Sequence, residues 1–588
     1  MPIEELPIFC YYDKQRFSQF GSQDCANWYA VSAESAKKKQ ALYPAMGRKH
    51  ISFLGQNRLI FNTQPRTHFK TINYYYVVVG TIIYQYDKFY NQKTVGHVSL
   101  TGIIWQDFIV VGTQVYVMIT DGINIYLFSE DLTTLPFGIV TDTNAPKSPV
   151  YVASFGNRFV VSSLNSNIFT LSTINVTGGL SGCFTINNSP LFNSATGVIG
   201  QFGVLHGQLY IFTDFTTDIW TNIATTITVA GVSLTFPWKL NTSYNWDYGI
   251  EDPLSLSIDF GRMVWLAKNR GGIVTYMVTN GQAPQDLDTQ AINVLLEETA
   301  ANEELNPFLS GNADGFLYQY ENTIFYRAVA GKYLDFGELD IEESANAIEY
   351  NFDTGTWARV IELNGERNRI QKHVYFHNIH HVIVEFDNAI YQMAGNIYYN
   401  ELLNTNRASN QSIDAFEAFP MRYELVTRQI YAPDYSEFFD NYVEIDFVFG
   451  YKTPIRSDAP FFNTQFIIGE QPDSDGNPVY IIGEQPDTEG NPVFIIAENS
   501  NFPAFYDNTY NMLFKPHIEL YYSDDGGVSF LSADNREFSQ LGQYRWRMRW
   551  YQLGASRNRC YKLIAVSASP IVILGGVRNT MRSSGGAN

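Results

Sequence analysis

Four histidines in one short segment are the first candidates for chemistry, because imidazole nitrogens are common zinc ligands. They are His373, His377, His380 and His381, in the segment HVYFHNIHH. His373 and His377 share one face of a predicted strand, but the segment lacks the HExxH pattern of a helical zinc site. A strand and a turn with surface imidazoles account for the segment without a metal, so we predict no metal site.

The segment SDDGGVSF matches the Asp-box pattern S-x-D-x-G-x-S-F, which is found in sialidases and would suggest glycoside hydrolysis. The physical role of the box is to close a hairpin. Its Asp carboxylate accepts hydrogen bonds from turn amides, and its aromatic residue packs beneath the turn. Because one copy stands alone, we interpret Ser523, Asp525, Gly527 and Phe530 as structural turn residues.

The C-terminal part of the sequence contains a duplication, in which IIGEQPDSDGNPVY is followed directly by IIGEQPDTEGNPVF. In its first copy, Asp473, Asp475 and Asn477 occupy alternate positions, as calcium ligands would. An EF-hand needs its glycine at the sixth loop position and a glutamate at the twelfth, and neither is present here. Two polar turns joining short strands fit better, giving a three-stranded arm at 465–497. A three-stranded sheet that packs against nothing else is only marginally stable. We therefore predict that its apolar residues are buried against another subunit or a partner protein: Ile467, Tyr480, Ile482, Phe494 and Ile496.

The segment YRWRMRWYQLGASRNR alternates arginine with large apolar residues, as a strand with one basic face would. That face could contact an acidic partner surface or phosphates, or it could pair with the acidic remainder of the same chain. One short basic strand is a small footprint for DNA. The predicted partner-contact residues are Arg545, Arg547, Arg549, Arg557 and Arg559.

Composition restricts the class of protein. The 588 residues carry a net charge of -20, so the general surface would repel nucleic acid rather than wrap it. The sequence contains only four cysteines, without CxxC spacing, which suits a protein folded in a reducing cytoplasm. We predict that all four are small buried hydrophobic residues: Cys10, Cys25, Cys183 and Cys560. No basic segment followed by an apolar run opens the sequence, and no uninterrupted apolar run is long enough to span a bilayer, so we expect neither export nor a membrane span. We also expect no enzymatic activity and no cofactor.

Short hairpins organise residues 51–400. Five of them turn at irregularly spaced glycines: Gly80, Gly112, Gly156, Gly207 and Gly261. Two more follow at 349–360 and 381–393, and Trp357 in the first of these would plug between blades. The spacing is close to the length of a four-stranded blade. It predicts an all-β fold with an irregular β-propeller of about six blades, and a sandwich is the main alternative.

Outside the propeller we predict few helices and two further segments. One covering helix is expected over 288–300, with Asp288 as its N-cap and Ala291, Ile292, Leu295 and Leu296 on its buried face. Residues 1–50 form an N-terminal segment, and 401–588 form a C-terminal β-domain that contains the duplicated arm and a basic final strand region.

Three regions together resemble the tail hub, or nozzle, proteins of short-tailed bacteriophages, which are also called packaged-DNA stabilisation proteins. The opening MPIEELPI with residues 27–47 is similar to the family's start, and 197–222 with 257–298 look like its middle. LYYSDDGGVSF and the basic run 545–576 are similar to its closing strands. The duplication departs from the family pattern.

The resemblance implies a homo-hexameric ring in the virion tail, assembled in the bacterial host cytoplasm. It implies docking of residues 1–50 on the adaptor ring, a channel for double-stranded DNA without sequence recognition, and contacts with tail spikes or fibres and a tail needle or plug. The competing hypothesis is a propeller-type tail protein that binds or hydrolyses glycans.

Overall fold

The computed structural model describes most of the chain as β-strands. The described residues are 3–15, 21–32, 40–51, 59–184, 197–223, 225–229, 232–236, 238–241, 245–305, 314–330, 346–403, 416–432, 434–449, 467–472, 478–486, 492–497, 517–537 and 545–582. Two α-helices lie among them, α1 (Gly179–Gly182) and α2 (Gln290–Leu305). The predicted all-β class is confirmed. No helix of the described residues has the length and apolar character of a membrane span.

Six strands precede the first sheet of the central array. They are β1 (Ile3–Leu6), β2 (Asp13–Lys14), β3 (Ser22–Ala26), β4 (Trp28–Ser32), β5 (Gln40–Pro44) and β6 (Gly47–His50).

Seven groups of antiparallel strands then follow one another along the chain, and they are called the first to seventh sheets below. The first five are separate sheets, whereas the sixth and seventh are parts of one sixteen-stranded sheet that also includes β3. The first three contain β7 (Pro65–Lys70), β8 (Tyr75–Val79), β9 (Ile82–Tyr86) and β10 (Gln92–His97); β11 (Trp105–Val111), β12 (Gln114–Thr120), β13 (Ile125–Ser129) and β14 (Gly138–Ile139); and β15 (Pro149–Phe155), β16 (Arg158–Ser163) and β17 (Phe169–Leu171). The fourth contains β18 (Ile199–Leu205), β19 (Gln208–Thr213) and β20 (Thr217–Thr221), then, after the separate hairpin β21 (Thr225–Val229) and β22 (Val232–Phe236), β23 (Lys239–Leu240).

The last three sheets complete the array. They contain β24 (Ser257–Asp259), β25 (Arg262–Lys268), β26 (Val274–Thr279) and β27 (Gln285–Asp286); β28 (Asp314–Tyr320), β29 (Thr323–Ala330), β30 (Asn346–Asn351) and β31 (Thr356–Arg359); and β32 (Ile370–Phe376), β33 (Ile379–Val384) and β34 (Ile390–Ala394). The seventh sheet takes its outer strand from before the array, since β6 pairs antiparallel with β34.

Hydrophobic clusters join each sheet to the next, and the seventh sheet to the first. At that closing contact, Tyr75 and Val77 of β8 pack with Ile383 of β33 and Ile390 of β34. Trp357 is fully buried between the fifth and sixth sheets, as predicted. Sheets in a ring with apolar contacts between neighbours are the arrangement of a β-propeller. The irregular β-propeller of about six blades that the sequence predicts is thus present as a propeller-like array, to which the described residues contribute seven such groups of strands.

The turn glycines explain why these hairpins form. All five predicted glycines have positive φ, between 55° and 71°. In five of the hairpins two consecutive turn residues have positive φ, the signature of a type I′ turn that matches the twist of its strands. These pairs are Gly156–Asn157, His206–Gly207, Phe260–Gly261, Glu321–Asn322 and His377–Asn378. The last pair corrects one prediction: β32 ends at Phe376, so His377 lies in the turn and does not share the strand face of His373.

The remaining strands form a two-sheet sandwich and the arm. They are β35 (Tyr399–Leu403), β36 (Phe416–Val426), β37 (Ile430–Tyr431), β38 (Phe438–Phe449), β39 (Ile467–Pro472), β40 (Pro478–Pro486), β41 (Pro492–Ala497), β42 (His517–Ser523), β43 (Leu531–Glu537), β44 (Arg545–Tyr551), β45 (Ala555–Ser556), β46 (Asn558–Ser567) and β47 (Ile571–Arg582). One sheet runs β4-β5-β47-β38-β44, and the facing sheet includes β36, β46, β42 and β43. Their inner faces share one core, with Val443, Ile445, Leu520 and Leu563 among its members.

The N-terminal segment 1–50 belongs to both bodies. Strand β1 and the hairpin β4–β5 pair with β47 of the sandwich, whereas β6 pairs with β34 of the propeller. Strand β3 pairs with both β31 and β36. Propeller and sandwich are therefore continuous through shared sheets. Docking of residues 1–50 on an adaptor stays a prediction.

Helix α2 covers the propeller as predicted, with Ala291 and Ile292 fully buried against β26 and Trp357. Its N-terminus differs from the prediction. The helix begins at Gln290, and Asp288 accepts a hydrogen bond from the backbone N–H of Tyr276 at 3.1 Å. Burial raises the pKa of Asp288 to about 7. Asp288 therefore binds the backbone of β26 beneath the helix and does not cap the helix N-terminus.

The cysteine prediction is wrong for two of the four residues. Cys10 and Cys25 form a disulfide, whereas Cys183 and Cys560 are buried thiols as predicted. Cys10 follows β1, which pairs with β47, and Cys25 lies in β3 beside β36, so long-range strand pairing brings the two together. Spacing alone could not indicate this contact.

Replacing both disulfide cysteines with alanine is expected to lower the free energy of unfolding by about 2–4 kcal/mol, because the unfolded chain loses a cross-link. Denaturant titration under oxidising conditions measures it. The matched control is Cys560→Ala, a buried thiol whose loss leaves the cross-link in place. Equal unfolding midpoints for the double variant and the unchanged chain would contradict the pairing.

Candidate interaction surface and the histidine cluster

Strand β44 has the two faces that its sequence predicts. Met548 and Trp550 are buried in the sandwich core and Trp546 is half-buried. On the other face, 57% of the Arg545 side chain, 63% of that of Arg547 and 42% of that of Arg549 are exposed. Among the described residues, β44 pairs with β38 alone and so ends its sheet.

The neighbouring strand β38 supplies carboxylates opposite these arginines. Arg549 Nε donates to Glu444 at 2.9 Å, and Arg545 Nε donates to Asp446 at 3.0 Å. Arg547 approaches the same two carboxylates only at 4.0 and 3.8 Å. The pairing within the chain that the sequence left open is thus present, but three arginines face two acids. Glu444 and Asp446 were not predicted, although the alternation in VEIDF is the same period-two signal.

A tyrosine on each strand borders this basic surface. The guanidinium of Arg549 lies 4.4 Å from the ring centroid of Tyr442, within cation–π distance. Tyr551 at the end of β44 is 56% exposed. We define the arginine face as Arg545, Arg547 and Arg549 with these two tyrosines. Partner contact through it stays a prediction.

The other two predicted contact residues lie elsewhere. Arg557 is exposed in the turn between β45 and β46. Arg559 is fully buried: its Nε donates to Asp524 at 2.7 Å and its Nη1 lies 3.5 Å from Asp440. Arg559 is thus paired with acidic residues of its own chain, and its side chain does not belong to the arginine face.

The Asp box forms the turn between β42 and β43. The carboxylate of Asp525 accepts hydrogen bonds from the N–H groups of Val528 and Ser529 at 3.0 Å, and Gly527 N–H donates to Ser523 Oγ at 2.8 Å. Hydrogen bonds from Ser523 and Ser529 lower the pKa of Asp525. Phe530 is half-buried beneath Lys562. The box therefore stabilises the turn of a hairpin in the sandwich and does not lie in the propeller.

The duplicated stretch forms the predicted three-stranded arm, β39-β40-β41, as a sheet of its own. The duplication repeats the register: Pro472 faces Pro478, and Pro486 faces Pro492. Likewise Glu470 faces Tyr480, and Glu484 faces Phe494. The turns at 473–477 and 487–491, and the predicted burial of Ile467, Tyr480, Ile482, Phe494 and Ile496, lie outside the described residues.

The histidines of the predicted cluster pair with one another and with tyrosines. His373 Nε2 lies 2.9 Å from His380 Nδ1, and His381 Nε2 lies 2.5 Å from the Tyr90 hydroxyl. His68, in the facing sheet, contacts the Tyr75 hydroxyl at 2.7 Å. Within the described ranges no group of three or more His, Cys, Asp or Glu side chains could hold a metal ion. His68 and His381 are buried in the propeller, His373 and His380 are half-buried, and His377 is exposed in its turn.

Burial favours the neutral form of His373, His380 and His381. It lowers the pKa of His380 to about 4 and that of His381 to about 3, and it lowers the pKa of His373 well below its ordinary value. In the unfolded chain each would take up a proton below about pH 6.5. Acid therefore favours the unfolded state through these groups.

The variant His373→Phe tests this linkage, since the imidazole already stacks on Phe316 with centroids 5.3 Å apart. Relative to the variant, the unchanged chain should lose about 1.4 kcal/mol of stability for each pH unit below about 6.5, because its unfolded state binds one more proton. Denaturant titrations of both chains at pH 7.5, 6 and 5 measure the difference, in which titrating groups that do not contact His373 cancel. His97→Phe, the same exchange on the exposed strand β10, is the control. A difference that stays constant from pH 7.5 to 5 would contradict neutral burial.

Comparison with known proteins is limited to weak structural similarity. No family model matches the chain, and no curated protein matches it. A streptogramin B lyase is 10% identical with a TM-score of 0.35, covering 60% of this chain and 98% of its own. The WD40 domain of Neurospora crassa Pan2 is 8% identical with a TM-score of 0.34, covering 62% and 97%. An ancestral GH74 enzyme is 11% identical with a TM-score of 0.35, covering 62% and 53%. Similarities at this level carry no information about the activity of this chain.

Proposed function

We propose that this chain is the structural subunit of a tail hub, or nozzle, ring of a short-tailed bacteriophage. Such a ring closes the portal–adaptor channel after DNA packaging, conducts DNA during ejection and anchors spikes or fibres. The observation that carries the proposal is the joining of propeller and sandwich by the N-terminal segment 1–50. A ring that transmits force along a DNA channel needs subunits that do not hinge. The sequence resemblance to the hub family supports the same role.

The junction between the two bodies is held by buried polar contacts. Asn27, in a left-handed conformation with φ 59°, donates through Nδ2 to the carbonyls of Ile361 at 2.7 Å and Arg422 at 2.6 Å. Its Oδ1 accepts from the N–H of Ile361 at 3.1 Å. The side chain thus fastens the end of the sixth sheet to β36. Breaking such buried contacts leaves unsatisfied groups, so bending at this junction is costly.

Nearby charges fix the same junction. Arg359 of β31 binds Asp24 of β3 with Nε at 2.9 Å, and it also contacts Glu424 of β36 at 3.2 Å. Trp28 Nε1 donates to the carbonyl of Ile571 at 3.0 Å, inside the sandwich core. Side chains of the N-terminal segment therefore contact both the propeller and the sandwich at this junction.

The charge of the chain suits a DNA conduit. With 59 acidic and 39 basic residues, several copies around a bore would present a negative field that disfavours adhesion of the duplex. Closed rings of identical subunits have heterologous interfaces, in which two different patches of each copy meet. The proposal requires no sequence recognition of the DNA.

Two binding assays separate this function from the glycan hypothesis. The purified chain should fail to retain a short DNA duplex at 0.15 M salt, and it should leave every member of a panel of bacterial surface glycans uncut. Hydrolysis or retention of a glycan would favour the competing class of tail protein. Tight duplex binding would contradict a conduit through which DNA slides.

A further inference from the structure

We infer that the arm β39–β41 of one copy docks on the arginine face of β44 in a neighbouring copy. The inference deepens the proposed function, on which it rests, because it assigns the two different patches that a closed ring requires. It concerns a second copy of this chain and no other partner.

Among the described residues, the arginine face places three arginines opposite two carboxylates of β38. Glu444 and Asp446 are each held by a close hydrogen bond, from Arg549 and Arg545. Arg547 stands between them at the outer limit of ion-pair distance, with 63% of its side chain exposed. A guanidinium in this position has donors to offer a carboxylate, and Arg is well suited to such contacts. In a chain of net charge -20, a positive exposed strand selects an acidic occupant.

The arm is acidic throughout. Between Ile467 and Glu498 it contains seven carboxylates and no lysine, arginine or histidine. The duplication sets Glu470 and Glu484 at equivalent register positions, opposite Tyr480 and Phe494 respectively. The duplication thus gives each of two neighbouring strands of the arm one glutamate, Glu470 on β39 and Glu484 on β40. Charge complementarity therefore pairs these two parts of the chain.

The connecting segments are long enough for contact between copies. The arm is inserted between β38 and β42, with the segment 450–466 before it and the segment 498–516 after it. Fully extended, the shorter of these segments spans up to about 60 Å, which is more than the width of a domain. A three-stranded layer of this size is marginal alone and gains stability by docking. Arm and arginine face on successive copies then form a head-to-tail contact that closes a ring.

Complementation between two variants tests the inference with the full chain. One variant replaces residues 467–497 with a Gly-Ser linker, so it keeps the arginine face and lacks the arm. The other is Arg547→Glu, which keeps the arm and reverses the charge of that arginine. Each alone should associate at least about tenfold more weakly than the unchanged chain, because a charge pair is lost or turned repulsive. In a mixture, the arm of Arg547→Glu can dock on the arginine face of the arm-less variant, so the tight contact should return. Each pair can form only one such contact, so analytical ultracentrifugation should show a one-to-one dimer and no larger assembly.

Lys93→Glu is the matched control, because it reverses an exposed charge on the outer strand β10 of the first sheet. It should leave association unchanged. Circular dichroism and the unfolding midpoint verify that each variant is folded. Raising salt from 0.05 to 0.5 M should weaken the unchanged chain more than Arg547→Glu.

Four outcomes would overturn the inference, and the last of them leaves the proposed ring function standing. The first is a mixture that forms no dimer, which would mean that the arm docks within its own copy or elsewhere. The second is an equal loss for Lys93→Glu. The third is duplex DNA retention that Arg547→Glu abolishes while association persists, which would assign the face to phosphates. If the arm-less variant still forms closed rings, the inference fails and the proposed ring function stands.

Discussion

Replacing Glu349 with alanine is expected to lower the free energy of unfolding by about 3–5 kcal/mol, since it leaves a buried arginine without its counterion. Arg327 is fully buried, and it contacts Glu349 through Nε at 2.9 Å and Nη2 at 2.7 Å. The Tyr318 hydroxyl donates to the same carboxylate at 2.5 Å. These groups hold β28, β29 and β30 together, so the loss should appear as a lower midpoint in denaturant titration.

A double replacement separates the ion pair from simple loss of packing. Arg327→Met with Glu349→Leu removes both charges and keeps much of the volume, so it should cost far less than Glu349→Ala. The expectation would be refuted by a single variant that unfolds within about 0.5 kcal/mol of the unchanged chain, the range of surface substitutions.

Arg48→Met should cost a similar amount, about 3–5 kcal/mol, and should also loosen the junction between propeller and sandwich. The Arg48 side chain is fully buried, and its Nη1 donates to Glu362 at 2.6 Å. Its Nε donates to the carbonyl of Glu401 in β35 at 3.2 Å. Because β6 closes the seventh sheet, we expect faster amide hydrogen exchange in β34 as well as the lower stability.

Lys93→Met is the control for this second variant, a cation on an exposed strand that should change stability by less than about 0.5 kcal/mol. Unchanged hydrogen exchange in β34 together with an unchanged unfolding midpoint would show that Arg48 does not stabilise the closure of the propeller. A lower midpoint with unchanged exchange in β34 would locate its effect in the sandwich instead.

Local structure was predictable from the sequence because its signals are local. Turn glycines, the buried face of helix α2 and the alternation in RWRMRWY each depend on a few neighbouring residues, and the structure confirms them. The hairpin at Glu321–Asn322 has no glycine in its turn, so it was not predicted.

Contacts between distant segments could not be predicted in the same way. The closing strand β6 meets β34 from the far end of the propeller sequence, and no local pattern in GRKH indicates it. The same reason hid the disulfide between Cys10 and Cys25 and the contacts of Asn27 with β36. For the candidate surface, the arginines were found from their alternation, whereas their partners Glu444 and Asp446 required the pairing of β38 with β44.

Electron microscopy of the purified full chain, with native mass measurement of the same sample, tests the central claim most directly. A tail hub subunit predicts closed rings of sixfold symmetry with an open bore and a mass of about six times 66.8 kDa. A monomer, a trimeric fibre or an open filament at the same protein concentration would contradict it.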